Sequence, residues 1–129
     1  MPARDTFYGI FLVQAGSEIK QGRDFLSYEG HVDWIITNPP WSQIRPFLMR
    51  SFKVADQVVF LMTINHAWTK ARLRIARENG FGLRTLLLVD TPRAFPQSGF
   101  QLGAVYYAKD WCGAVDLVDM SEGCRRLSL

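Results

Sequence analysis

One stretch of the sequence decides the fold: Asp33-Trp34-Ile35-Ile36-Thr37-Asn38-Pro39-Pro40-Trp41. Its apolar run, Trp34–Thr37, has the length and branched side chains of a buried strand. Two successive prolines must end this strand, because proline has no N–H to donate to a sheet. Apolar residues then recur at helical spacing from Ile44 to Ala55, and Pro46 is tolerated only in a first helical turn. The stretch therefore predicts a strand, a rigid turn and a helix that begins near residues 43–45.

The same alternation continues on both sides of this stretch. Apolar runs predict further strands at Tyr8–Val13, Val58–Met62, Leu83–Val89 and Leu102–Tyr107, with weaker candidates at Glu18–Gln21 and Val115–Val118. We expect the strand at 34–37 to lie parallel and adjacent to the strand at 58–62, with the helix as their crossover. The two strands at 83–89 and 102–107 are joined without a helix, which predicts an antiparallel pair at one edge. The predicted fold is a three-layer α/β sandwich with a mostly parallel sheet.

A second helix is expected after the strand at 58–62. Thr63 or Asn65 is the predicted N-cap, and the helix should run through Trp68 and Ala76 before it ends at Asn79-Gly80.

Composition limits the classes of protein. A chain of 129 residues predicts one domain, 1–129, and its 48% hydrophobic content excludes disorder of the whole chain. No apolar run reaches the ~18 residues of a membrane span, and the N-terminus lacks a secretory signal, so we expect a cytoplasmic protein. The two cysteines, Cys112 and Cys124, have no nearby histidines, so no metal site and no disulfide are expected.

The charge of the chain is weak evidence for a nucleic-acid partner. The net charge is +3, and eleven of the fifteen basic residues are arginine. Arginine binds phosphate through its planar fork and stacks on bases, although a compositional bias would explain the same count.

The residues Asn38-Pro39-Pro40-Trp41 are the strongest functional candidate. In open parallel sheets, ligands bind beyond the carboxyl ends of the strands, which is where these residues should lie. The Asn38 side chain and the Asn38 and Pro39 carbonyls are hydrogen-bond acceptors, and Trp41 offers a flat apolar face. Such a group suits a planar substrate with an exocyclic amino group. The alternative is that two prolines end a strand and Trp41 fills the core.

These residues resemble the catalytic motif of the amino-group DNA methyltransferases, especially the adenine-N6 class. The likeness extends over roughly residues 8–110: Gly22–Leu26 is similar to the segment before the catalytic strand, Ser42–Leu48 to the helix after the motif, Val59–His66 to the next strand, and Phe95–Lys109 to the final hairpin. The resemblance implies a class I methyltransferase-like (Rossmann-like) fold, truncated on its N-terminal side.

The resemblance also implies roles for individual residues. The cofactor would be S-adenosylmethionine (SAM), bound by Asp24, Phe25 and Asn38, and the reaction would be direct methyl transfer to a flipped adenine. The catalytic residues would be Asn38, Pro39, Pro40 and Trp41, with Trp41 and Phe95 also contacting the base.

The glycine-rich turn with which this family binds its cofactor, typically Phe-x-Gly-x-Gly, is missing. Tyr8–Val13 falls where the family's second strand should be, so the chain would begin after that turn. We therefore expect the centre of the sheet to lack one strand, and expect a shortened fold, a partner chain or a homodimer to make up for it, the last two also completing the cofactor site.

Further candidate substrate contacts are His66 at the mouth of a strand and a basic helix with Lys70, Arg72, Arg74 and Arg77. The helix could follow a phosphate backbone, or it could present a solvated face.

The leading interpretation is a small SAM-dependent adenine-N6 DNA methyltransferase of the kind found in phages or mobile elements, with DNA, or else RNA, as its partner and no membrane association. The alternatives are an inactive nucleic-acid-binding module and one half of a split methyltransferase.

Overall fold

The computed structural model describes residues 6–7, 10–14, 25–94 and 99–120. The predicted strand at Glu18–Gln21, together with Asp24, Phe95 and Cys124, lies outside this part of the chain.

The described residues form one mixed seven-stranded sheet. Its strands are β1 (Thr6–Phe7), β2 (Ile10–Gln14), β3 (Val32–Asn38), β4 (Ala55–Thr63), β5 (Phe81–Leu88), β6 (Leu102–Lys109) and β7 (Asp116–Asp119). Their order across the sheet is β1-β2-β3-β4-β6-β5-β7. The strands β2, β3 and β4 are parallel neighbours, β6 is antiparallel to both β4 and β5, and β7 is parallel to β5. The predicted α/β fold with a largely parallel sheet is confirmed.

The predicted crossover between β3 and β4 is confirmed. Trp34 pairs with Gln57, and Thr37 pairs with Phe60, in a parallel ladder. The helix α1 (Ile44–Val54) joins the two strands, and Pro46 is its third residue. At that position the missing N–H of proline costs nothing, because the first turn has no intrahelical acceptor for it.

The second helix begins later than the sequence predicts. After β4 the chain forms a 3-10 turn over Ile64–His66, and α2 (Lys70–Glu78) follows. The N-cap is Thr69, whose side chain accepts a hydrogen bond from the Arg72 backbone N–H at 3.2 Å. The predicted caps Thr63 and Asn65 were wrong, since burial of Ile64 and Ala67 fixes the turn before the helix can start.

Two details of the sheet differ from expectation. The strand β2 pairs directly with β3, so the expected gap at the centre of the sheet is absent. The antiparallel pair β5 and β6 is confirmed, but it does not form the edge: β6 inserts between β4 and β5, and the weakly predicted β7 lies outside β5.

Both described helices pack on one face of the sheet. The buried cluster includes Phe47 and Phe52 of α1, Ala76 of α2, and the alternate strand residues Ile35, Val58, Phe60, Val105 and Tyr107. The Phe52 ring meets those of Phe81 at 4.5 Å and Tyr107 at 5.5 Å. Of the two helical layers in the predicted three-layer sandwich, the described residues supply one.

Candidate active site

The carboxyl ends of β2, β3, β4 and β5 lie at the same edge of the sheet, because these strands are mutually parallel. We call this edge the carboxyl edge. Asn38 ends β3 there, and the turn containing Asn65 and His66 follows β4 at the same edge. This is where a sheet of this kind binds ligands.

The residues after β3 form a rigid turn. Pro39 is fully buried and anchors the turn in the core. Pro40 adopts an extended conformation (φ −59°, ψ 126°), and its carbonyl accepts a hydrogen bond from the Gln43 N–H at 2.8 Å. That bond closes the 3-10 turn Trp41–Gln43, which leads directly into α1. Two prolines, one buried anchor and one closing bond leave this backbone little conformational freedom.

The turn leaves one accessible hydrogen-bond acceptor side chain, that of Asn38, at the carboxyl edge. Among the described residues, neither the Asn38 side chain nor the Pro39 carbonyl has a hydrogen-bond partner. Asn38 itself is only partly buried, so its amide is open to a ligand. The geometry thus presents the Asn38 side-chain oxygen at the carboxyl edge, where it can accept a hydrogen bond from an amino group, whereas the Pro39 carbonyl belongs to a fully buried residue.

Trp41 combines the two roles that the sequence left open. It is half-buried and packs against the core cluster, so part of the indole stabilises the fold. The remaining part is accessible and can stack on a planar ligand.

The residues predicted to bind the cofactor are not brought together as a set in the described structure. Phe25 is 1% exposed, and its ring stacks on that of Phe47 with centroids 5.2 Å apart. A side chain this deeply buried touches the core rather than a ligand. Asp24 lies outside the described residues, so Asn38 is the one expected cofactor residue seen at the carboxyl edge.

The turn after β4 holds one exposed and one buried polar side chain. His66 is exposed, whereas the side-chain oxygen of Asn65 is buried without a hydrogen-bond partner in the part of the chain described. Tyr107 fixes the turn by donating its hydroxyl proton to the Ala67 carbonyl at 3.2 Å. Burial raises the pKa of Tyr107 well above its ordinary value, against an opposing effect of Arg72, so the phenol remains a donor.

The basic helix divides into two sides. Lys70, Arg74 and Arg77 follow helical spacing and are exposed, so they form a cationic stripe on one side of α2. Arg72 points the other way: one of its guanidinium nitrogens is buried and makes no hydrogen bond to any described residue. Of the two arginines predicted to contact substrate, Arg74 is therefore on the accessible side and Arg72 is packed inward.

The structure adds residues that the sequence did not single out. Phe100 is 59% exposed in the loop between β5 and β6, and Trp68 is 49% exposed just before α2. The side chain of Gln101 pins the end of that loop by donating to the Val89 carbonyl at 2.7 Å. Arg45 and Arg93 are also exposed, and both follow strands that end at the carboxyl edge. The position of Arg45 and Arg93 after predicted strands is the sequence signal that could have identified these two residues.

No cluster of three histidine, cysteine, aspartate or glutamate side chains that could hold a metal occurs within residues 25–94 and 99–120. Across the described ranges, every helix is too short or too polar to cross a membrane. Cys112 is free and exposed.

Comparison with solved structures gives the class of fold. Over 66% of its length, the chain superposes on 46% of PH1948 from Pyrococcus horikoshii, a protein provisionally named an RNA methyltransferase, with 22% identity and a TM-score of 0.51. The chain thus spans just under half of that protein. A weaker similarity is to M1.HpyAVI in its SAM complex, with 16% identity over 84% of this chain and 68% of that chain and a TM-score of 0.47. Another is to Thermoplasma acidophilum 1320, with 15% identity over 78% of this chain and 60% of that chain and a TM-score of 0.47. No family model and no curated protein sequence matches the chain.

The similarity to the Pyrococcus horikoshii protein shows a shared Rossmann-like α/β fold.

Replacing Arg74 tests whether the cationic stripe follows a phosphate backbone. Arg74→Gln should make the negative slope of log affinity against log salt shallower by about one unit for duplex DNA, because one phosphate contact is lost. Lys53→Gln is the matched control, since it also removes one exposed positive charge but lies in the last turn of α1, at the end of the sheet opposite the carboxyl edge. Fluorescence anisotropy over a salt series measures both slopes. Equal slopes for Arg74→Gln and the wild type would show that the stripe is a solvated face that contacts no phosphate.

Proposed function

We propose that the protein transfers a methyl group from SAM to an exocyclic amino group of a nucleic-acid base, namely N6 of adenine in DNA. The observation that carries this proposal is the rigid turn Asn38–Trp41 at the carboxyl edge, in which the Asn38 side chain is accessible and unpartnered among the described residues and the Trp41 indole is partly accessible. The shared fold with the Pyrococcus horikoshii protein supports methyl transfer in general.

The acceptors would position the amino group. The Asn38 side-chain oxygen and the Pro39 carbonyl oxygen would each accept one N–H, which turns the nitrogen lone pair away from the protein and toward the methyl donor. When bound, SAM supplies an electrophilic methyl carbon on a sulfonium. As the nitrogen gains positive charge, the two N–H groups become stronger donors, so these hydrogen bonds would strengthen in the transition state. The methylated amino group would then release one of its N–H protons to solvent and become neutral.

Trp41 would hold the ring of the base. Stacking on an aromatic side chain contributes about 1–3 kcal/mol per base and requires no particular sequence. Because the other part of the indole is packed in the core, its orientation is already set before the base arrives, which lowers the entropic cost of binding.

Binding of the polynucleotide would involve the surroundings of the turn. The stripe of Lys70, Arg74 and Arg77 runs along α2 away from the carboxyl edge, a direction that suits a phosphate backbone. Exposed Phe100 and Trp68 at the same edge would stack on unpaired bases or support a base turned out of a duplex. His66, exposed in the turn after β4, would contact the substrate, and so would Phe95, which precedes Phe100 in the sequence.

The cofactor site would use Asp24 in addition to Asn38. Asp24 remains the proposed contact to the cofactor, and Phe25 would support its neighbour from the core.

A second candidate function is a nucleic-acid-binding module that has the base pocket without methyl transfer, or one half of an enzyme whose other half binds SAM. The burial of Phe25 favours these alternatives to a complete enzyme. Among the residues expected to bind the cofactor, Asn38 is the one that is accessible in the described structure.

Methyl transfer from radiolabelled SAM to an oligonucleotide with one unpaired adenine tests the proposal. We expect label in N6-methyladenine after nuclease digestion, and none when the target base is purine, which lacks the amino group. Binding of the adenine oligonucleotide without incorporation of label would reject the enzyme and favour the binding module or the half enzyme.

A further inference from the structure

Gln101 lies at the carboxyl edge, directly before β6, and its backbone is bound to the turn after β4. The Gln101 carbonyl accepts a hydrogen bond from the Ile64 N–H at 2.9 Å. The chain can approach this closely because Gly103 has no side chain. A Cβ atom at that position would lie 2.6 Å from the Ile64 side chain and 2.7 Å from the Leu87 carbonyl oxygen. Gln101 therefore has a defined place at this edge, beside the turn after β4.

The side-chain amide of Gln101 is held by two backbone carbonyls. Its nitrogen donates to the Val89 carbonyl at 2.7 Å and to the Leu102 carbonyl at 2.8 Å. A carbonyl oxygen can only accept a hydrogen bond, so the NH2 group of the amide must face this pair, and both of its hydrogens are used. The orientation of the amide is thereby set, and its oxygen points away from the two carbonyls.

The amide oxygen of Gln101 is an acceptor that is oriented before any ligand binds. Gln101 is exposed, and its side-chain oxygen accepts no hydrogen bond from any residue in the described ranges. Phe100, the preceding residue, is 59% exposed. An exposed aromatic ring and a fixed acceptor are the two groups that hold an unpaired base, the first by stacking and the second by a hydrogen bond to the edge of the base.

These two residues are separate from the turn Asn38–Trp41. The strand β4 lies between β3 and β6, so the end of β3 and the start of β6 are two strand spacings apart, which is about 10 Å. The Gln101 amide lies further still from β3, because the carbonyl of Val89 that it binds follows β5. A base whose amino group is bound by Asn38 is therefore not the base that Gln101 contacts.

We propose that Phe100 and Gln101 form a second base subsite, which binds an unpaired nucleotide near the target and selects a base with an exocyclic amino group. The inference rests on the proposed function, since it takes the target base to lie at Asn38. The Phe100 ring stacks on the second base, and the Gln101 side-chain oxygen accepts one N–H of its amino group. Adenine and cytosine have an amino group where guanine and thymine have a carbonyl, which would set two acceptors against each other.

Binding of single-stranded oligonucleotides to the full chain, without SAM, tests the subsite. Each oligonucleotide has one target adenine among thymines, and one of the two positions on either side of it carries cytosine or 2-pyrimidinone, which is cytosine without its amino group. At one of these positions the wild type should bind the cytosine oligonucleotide about fivefold more tightly, the usual contribution of one hydrogen bond. Fluorescence anisotropy measures the ratio of the two affinities.

Gln101→Lys separates base selection from the structural role of Gln101. A lysine ammonium can still donate to the Val89 and Leu102 carbonyls but accepts no hydrogen bond, so the preference for cytosine should be lost. The added charge raises both affinities alike and leaves their ratio unaffected. Gln43→Ala is the matched control, because it removes an exposed amide from the turn after β3 and should keep the preference. Circular dichroism checks folding, and Gln101→Met, which should also lose the preference, replaces Gln101→Lys if that variant does not fold.

Equal affinities of the wild type for cytosine and 2-pyrimidinone at all four positions would overturn the subsite. A preference that persists in Gln101→Lys would overturn it as well, by showing that Gln101 holds the loop without contacting a base. These experiments do not measure methyl transfer, so the two proposals fail separately. A chain with the preference but no incorporation of label keeps the subsite as part of a binding module, and a chain that labels adenine without the preference loses the subsite alone.

Discussion

Methyl transfer by the Asn38→Ala variant is expected to be about a hundredfold slower than by the wild-type chain. The change removes an acceptor whose hydrogen bond strengthens as the amino nitrogen becomes cationic. Loss of one such group costs about 3 kcal/mol in the transition state, by analogy with the loss of an oxyanion-hole donor. Binding of the oligonucleotide should change much less, because the ground-state bond is weaker than the bond in the transition state. Single-turnover kinetics and anisotropy measure the two effects separately.

Gln43→Ala is the matched control for this substitution. Gln43 has an exposed side-chain amide in the same turn, and the bond that closes the turn uses its backbone N–H, which the variant retains. Its rate should equal that of the wild type. If Asn38→Ala lowered binding and rate by the same factor, Asn38 would contribute to uniform binding of the base and would have no separate role in catalysis.

The Phe25→Ala variant is expected to lose about 3–5 kcal/mol of unfolding free energy, the usual cost of truncating a fully buried phenylalanine. Phe25 is 1% exposed and stacks on Phe47, so the change leaves a cavity between the segment before β3 and α1. The thermal midpoint should fall by about 10 °C or more. Thermal and denaturant unfolding followed by circular dichroism give the measurement.

The same variant distinguishes the core role of Phe25 from the cofactor contact that the sequence predicted. A surface contact would leave the midpoint unchanged and raise the dissociation constant for SAM in calorimetric titration. Met49→Ala is the control for stability. Met49 is an apolar residue exposed on α1, so its truncation should lower the free energy of unfolding only slightly. Phe25→Leu keeps most of the buried volume and should remain folded if Phe25→Ala does not.

The central unit of the fold could be predicted from local sequence. The run from Trp34 to Thr37, the prolines after it and the helical spacing from Ile44 specify a strand, a turn and a helix, because each pattern excludes the alternatives for its own segment. The parallel pairing of β3 with β4 then follows from the handedness of the crossover. The start of α2 could not be predicted in this way. Thr69 competes with Thr63 and Asn65 as a cap, and the choice depends on burial of Ile64 and Ala67 against distant strands.

For the candidate site, the sequence by itself determined the turn Asn38–Trp41 and its placement at the end of a strand, since proline dictates backbone geometry without help from neighbours. Only the tertiary structure decided which side chains near the turn are accessible. It buried Phe25 beside Phe47, turned Arg72 inward while Arg74 stayed exposed, and brought Phe100 and Trp68 to the carboxyl edge. It also left Ile36 exposed, although the sequence around it resembles a strand buried on both sides. The physical reason is that the burial of a side chain depends on what packs against it, and those partners come from elements far away in the chain.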